Sequence, residues 1–267
     1  MIGRLVRRET IEAPVAVVVA HPDDETTGVG AQLGRLRRLH LIHLTDGAPR
    51  DLADARRAGF ADARAYAAAR AAELDRALDA LGVRPAARSA YGCADQEAAL
   101  DLVALARRLR DDLAEAEAVV THAFEHGHPD HDAAAFAVRA ACTLLVRAGR
   151  RAPRIVEFPS YHLDAAGHTV HGRFRADARQ PAHALRLTPA ERARKARALA
   201  CFATQRAVLE PVPLDAERLR FAPEHDFLAP APVPGAWYDR LGWRMTGARW
   251  RDCAARALAE LEQAAAA

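Results

Sequence analysis

Two short histidine–carboxylate clusters hold the side chains of this 267-residue chain that are best suited to chemistry. The first reads His21-Pro22-Asp23-Asp24-Glu25 and the second His128-Pro129-Asp130-His131. Either one alone fits the start of a helix, where proline and acidic side chains are favoured in the first turn. A helix start does not, however, require a histidine before the proline in both places, or a second histidine in one. A catalytic zinc ion takes three nitrogen or oxygen ligands and keeps one position open for water. His21 and Asp24 are three residues apart, so one turn can bring both to one ion, and His131 can complete the set. Asp23 and His128 then remain as acid–base groups beside the metal, and hydrolysis needs such a pair.

The elements that position these clusters follow from periodicity. Residues 15–20 (VAVVVA) are a short β-branched run, as expected of a buried parallel strand. Residues 40–45 and 154–158 read as further strands, residues 119–121 seed another, and 87–91 is a fifth. Helical stretches lie between them at 29–39, 51–81, 95–116, 130–148 and 189–202. Gly82 and Gly149 stand where helix C-termini favour glycine. Thr188, with Glu191 three residues on, has the spacing of a capping box. Strands alternating with helices predict an α/β chain, a Rossmann-like three-layer fold with a mostly parallel sheet. Both clusters follow a strand directly or closely, at the edge where open α/β sheets bind ligands. After about residue 205, six prolines between 211 and 234 break the helical pattern. One domain over 1–267 is expected, with a core of about 14–205. A Pro-rich C-terminal segment of about 206–267 would wrap that core and shape the substrate mouth, with a strand at 226–228 and a closing helix from about Arg249.

The pair AHPDDE and HPDH resembles the PIG-L/LmbE family of zinc N-deacetylases. Thr45-Asp46-Gly47 and the RAAELDRALDAL helix of 70–81 look like family features too, and the likeness covers roughly 14–205. The resemblance implies His21, Asp24 and His131 as zinc ligands, the same three that spacing suggests. It implies Asp23 as the general base and His128 as stabiliser of the tetrahedral intermediate, with Asp130 orienting or charging His128. Arg70 and Asp95 match residues that contact sugar substrates in relatives, and His126 stands where some relatives carry a tyrosine. Glu25 and Asp46 are expected to hold the two loops. The implied substrate is a small molecule bearing an N-acyl amino sugar, and iron(II) suits the same ligands as zinc. The alternatives are amidase action on a bulkier glucosaminyl conjugate, or sugar or metal binding without catalysis.

Composition narrows the field. The net charge of +3, from 38 basic and 35 acidic residues, is too small and too dispersed for a nucleic-acid surface. The longest apolar runs are too short to cross a bilayer, and the first residues show no signal-peptide pattern. Cys93, Cys142, Cys201 and Cys253 are far apart in sequence, which suits reduced thiols and a cytoplasmic protein. No G-x-G-x-x-G follows the first strand, which sets a nicotinamide enzyme aside. Nothing in the sequence specifies an oligomeric state.

Overall fold

The computed structural model describes residues 1–175 and 181–266. In chain order the elements are α1 (Ile2–Val6), β1 (Ile11–Val19), α2 (Asp24–Leu33), β2 (Leu36–Pro49), α3 (Ala53–Arg57), α4 (Ala63–Leu81), β3 (Ala87–Asp95), α5 (Leu102–Asp112) and β4 (Ala118–His122). They continue with α6 (Pro129–Arg147), β5 (Arg154–Phe158), β6 (Tyr161–Leu163), β7 (Thr169–His171), β8 (His183–Arg186), α7 (Pro189–Leu199), α8 (Arg206–Leu209), β9 (Ala216–Phe221) and α9 (Gly247–Ala266).

The main sheet has the order β3-β2-β1-β4-β5-β9-β8. Its first five strands run parallel, and β9 and β8 add an antiparallel edge. Strand β1 is apolar at successive positions because both of its faces are covered. Ala16 and Val18 pack with α5, α6 and α9 on one side, while Val15, Val17 and Val19 pack with α2, α4 and α7 on the other. This is the expected three-layer α/β fold. The chain leaves β1 in one direction along the sheet and β4 in the other, so a crevice opens between their C-terminal ends. The two histidine–carboxylate clusters occupy those two ends.

Local chemistry sets the boundaries. The residue Gly82 closes α4 in the left-handed conformation, with φ +69°. The Thr188–Glu191 capping box forms in full at the start of α7. Other boundaries depart from the sequence reading. The first helix starts at Asp24 inside the cluster and stops at Leu33, and β2 runs from Leu36 through Pro49. The 51–81 stretch is two helices, α3 and α4, because Gly59 at φ +83° ends the first. Residues 226–228 form a turn instead of a strand, with Asp226 bonding the Leu228 N–H. The sheet strand of the C-terminal segment is β9 instead, inserted between β5 and β8.

Candidate metal centre and active-site cavity

Asp23 and Asp24 enter the crevice because the chain turns sharply between β1 and α2. Asp23 holds φ +145°, a conformation rare for a residue with a side chain. Glu25 is fully buried beneath this turn and stabilises it. Its Oε2 accepts from the Asp23 N–H at 3.2 Å and faces His43 Nε2 at 3.1 Å, and the Thr26 hydroxyl donates to its Oε1. Arg70, on α4, clamps the turn from the side. Its guanidinium donates to Gly47 O at 2.6 Å, Pro22 O at 3.1 Å and Asp23 Oδ2 at 2.7 Å. Gly47 must be a glycine here, since it sits at φ +66° and a Cβ would lie 2.6 Å from the Arg70 side chain.

The second cluster is presented by the first turn of α6. The His128 ring caps that helix, with Nδ1 accepting from the Asp130 N–H at 3.2 Å. Asp24 lies between the two clusters. Its Oδ2 is 3.1 Å from His21 Nδ1 and its Oδ1 is 3.3 Å from His131 Nε2. The rings of His21 and His131 are 5.3 Å apart, and that of His128 is 4.5 Å from His21. Among the described residues, three groups of side chains offer ligand atoms lying within 4.8 Å of one another: His21, His128 and His131; His21, Asp95, His128 and Asp130; and Asp24, His122 and His131. This buried set of imidazole nitrogens and carboxylate oxygens fits a borderline divalent cation such as zinc or iron(II). Asp95 Oδ1 is also buried and lacks a hydrogen-bond partner.

Electrostatics reflect the crowding. Burial pushes Asp23 up to about 8, although Arg70 pulls the other way. Burial opposes ionisation of Asp24, yet His131 and His122 outweigh it and hold that carboxyl well below its usual range. Burial would lower His21, but Asp95, Asp130 and Asp24 raise it well above the ordinary imidazole value. Burial, followed by the charge of His21 and His131, depresses His128 well below 6.5.

Some side chains stand apart from the expected arrangement. Asp130 does not lie against the His128 ring, being 4.0 Å from Nδ1. It accepts from the Gln96 and Ala98 N–H groups at 2.6 and 3.0 Å and faces His21 Nε2 at 3.2 Å. Arg70 is 3% exposed, with both terminal nitrogens held by protein oxygens. His126 does not line the cavity but packs on Phe124, with ring centroids 4.4 Å apart. Asp46 pairs with Arg50 at 2.7 Å and bonds the Ala48 N–H, bracing its own turn.

Sequence reading missed His122. It ends β4, is fully buried, and stacks on His131 at 4.0 Å with the planes 10° apart. Its Nε2 accepts from the Ala20 N–H at 3.2 Å and its Nδ1 faces Ser160 Oγ at 3.0 Å. Its place at a strand end beside the crevice was the only sequence signal. Tyr161, Trp237 and Trp243 also reach the site from later in the chain. Together with the clusters they line a cavity of about 260 Å³.

The PIG-L family, described as GlcNAc-PI de-N-acetylase, matches residues 16–142. No curated protein matches the sequence. Among solved structures, the A40926 pseudoaglycone deacetylase Dbv21 is 18% identical with a TM-score of 0.59, over 79% of this chain and 97% of that one. N,N'-diacetylchitobiose deacetylase from Pyrococcus horikoshii is 16% identical with a TM-score of 0.50, over 74% and 73%. The 4-carboxy-2-hydroxymuconate hydratase GalB from Pseudomonas putida KT2440 is 18% identical with a TM-score of 0.52, over 80% and 98%. At these identities they share a fold, and a hydratase among them shows that the fold alone does not name a reaction. No helix among the described residues is long and apolar enough to cross a membrane. The two clusters both lie within the matched segment: residues 16–142 are a PIG-L-family domain, the domain of a family of de-N-acetylases.

Proposed function

We propose that this protein is a zinc-dependent deacetylase that hydrolyses the N-acetyl group of an amino-sugar-containing small molecule. The observation that carries the reading is the convergence of both clusters on one buried crevice, with Asp23 clamped by Arg70 at 2.7 Å beside the ligand set. His21, Asp24 and His131 would hold the ion. When bound, zinc supplies Lewis acidity, lowering the pKa of water and polarising an amide carbonyl.

The remaining steps belong to the chain. Arg70 occupies Asp23 Oδ2, so Oδ1 is the atom left to take a proton from the attacking water. His128 Nδ1 accepts from the Asp130 N–H, which leaves its proton on Nε2. That N–H can hydrogen-bond the oxyanion, and the departing amine takes the proton that Asp23 received from the water. Asp95 Oδ1, buried 3.3 Å from His21 Nε2 and making no hydrogen bond, keeps a lone pair for a sugar hydroxyl. The site's own side chains are buried, which strengthens each of these contacts.

Acetate release from N-acetylglucosaminides, measured after chelation and again after zinc is restored, tests this reading. Release that stops on chelation and returns with zinc is expected. Undiminished release from metal-stripped protein would sink it.

A further inference from the structure

Away from the ligands the cavity carries apolar side chains from three separate stretches of chain, set among polar ones such as Gln205 and Arg218. One stretch contributes Val208 and Leu209 of α8 and Val212 just after it. Val208 is 60% exposed at the mouth of the cavity. The other two contribute Tyr161, and Trp237 with Trp243. The Trp237 ring is 5.2 Å from Tyr161, Tyr161 is 5.6 Å from His131, and Trp243 is 5.1 Å from His128. The aromatic surface is therefore continuous with the reacting centre.

Charge points the same way. Each arginine lining the cavity already faces a carboxylate: Arg57 faces Asp54 at 2.8 Å, Arg70 faces Asp23 at 2.7 Å, and Arg218 faces Asp215 at 3.3 Å. The site also carries Asp24 and Asp95 among its lining. An incoming phosphate would meet carboxylates and engaged guanidinium groups.

We infer that the cavity selects an amino sugar bearing an uncharged apolar substituent, alkyl or aryl, in preference to a free or phosphate-linked amino sugar. This rests on the deacetylase reading above. Tyr161, Trp237 and Trp243 offer flat surfaces to the sugar and its substituent, and Val208, Leu209 and Val212 extend the apolar surface outward. Each substituent methylene buried on that wall favours binding by about fourfold.

The test is a panel offered to the zinc-loaded protein: N-acetylglucosamine, its 1-phosphate, its hexyl glycoside, and N-hexanoylglucosamine. A higher kcat/KM for the hexyl glycoside places the substituent on the sugar's anomeric side, and a higher value for the hexanoyl amide places it on the acyl side. Val208→Asn, at an exposed position, should cut that preference severalfold, and an undiminished preference would count against the wall. Equal values for the free and hexyl-bearing sugars, or a preference for the 1-phosphate, overturn the proposal. Calorimetric binding of hexyl glucosaminide against glucosamine asks the same question without turnover. Equal affinities there overturn it independently, whereas tighter hexyl binding with no release of acid from any panel member supports the apolar wall and removes the deacetylase reading instead.

Discussion

Replacing Arg70 with alanine separates a residue that positions the catalytic turn from one that touches substrate. Arg70 is 3% exposed and donates to Gly47 O, Pro22 O and Asp23 Oδ2. Removing it leaves a buried carboxylate without its counter-charge and two carbonyls without donors. Above about pH 8, where Asp23 is ionised, breaking a buried ion pair in this way costs about 3–5 kcal/mol. For a chain of this size that loss lowers Tm by about 10 °C. The turnover number should fall as well, because Asp23 loses the contact that fixes its carboxylate in a turn already at φ +145°. Arg70→Lys keeps a charge but cannot span three acceptors, so it should recover only part of the loss. Arg70→Ala combined with Asp23→Ala should be more stable than the sum of the single changes predicts, since no unpaired charge remains. Thermal denaturation together with steady-state kinetics decides the matter. An Arg70→Ala protein of unchanged Tm and kcat, altered only in KM, would refute the positioning argument.

Other expectations follow from the same geometry. His122→Ala removes the ring stacked on His131 and should weaken zinc binding about 10–100-fold in a chelator competition, whereas an unchanged affinity would make His122 an ordinary core residue. Lys195 and Glu217 form a buried pair at 2.8 Å, so Lys195→Met alone should destabilise the fold by about 3–5 kcal/mol, and adding Glu217→Gln should restore much of it in urea unfolding. Burial, followed by the charges of Arg175, Arg251 and His225, depresses His126 to about 4. Its folded pKa thus lies below the unfolded value, so its share of stability is complete above pH 6.5 and is lost as pH falls toward 4. The loss is on the order of 3 kcal/mol, and His126→Phe should flatten it in a pH series of unfolding midpoints.

The chemistry of the site was legible where one local pattern carried it. His21-Pro-Asp-Asp-Glu and His128-Pro-Asp-His each advertise a strand end, a helix start and ligand types together, and the β-branched run of β1 locates the first of them in the sheet. What sequence could not supply was contact between distant stretches. The bonds of His122 reach Ala20 and Ser160, and its ring lies on His131, none of which its neighbours in sequence reveal. Arg70 looks like a free helix arginine until the fold places it under Pro22 and Gly47. Asp130 follows His128 so closely that the pair seems natural, yet the chain before α5 returns and captures its carboxylate with the Gln96 and Ala98 N–H groups. The Pro-rich segment after 205 hid β9, because a short antiparallel strand of mixed charge lacks the apolar run that marks a buried parallel one.

The most direct test of the central claim is acetate release by Asp23→Asn, with bound zinc quantified in the same samples. Asparagine keeps the shape of the side chain and leaves His21, Asp24 and His131 in place. It cannot accept the proton of the attacking water. The account predicts wild-type zinc content with kcat lowered at least about 100-fold. Full activity at full zinc occupancy would contradict it.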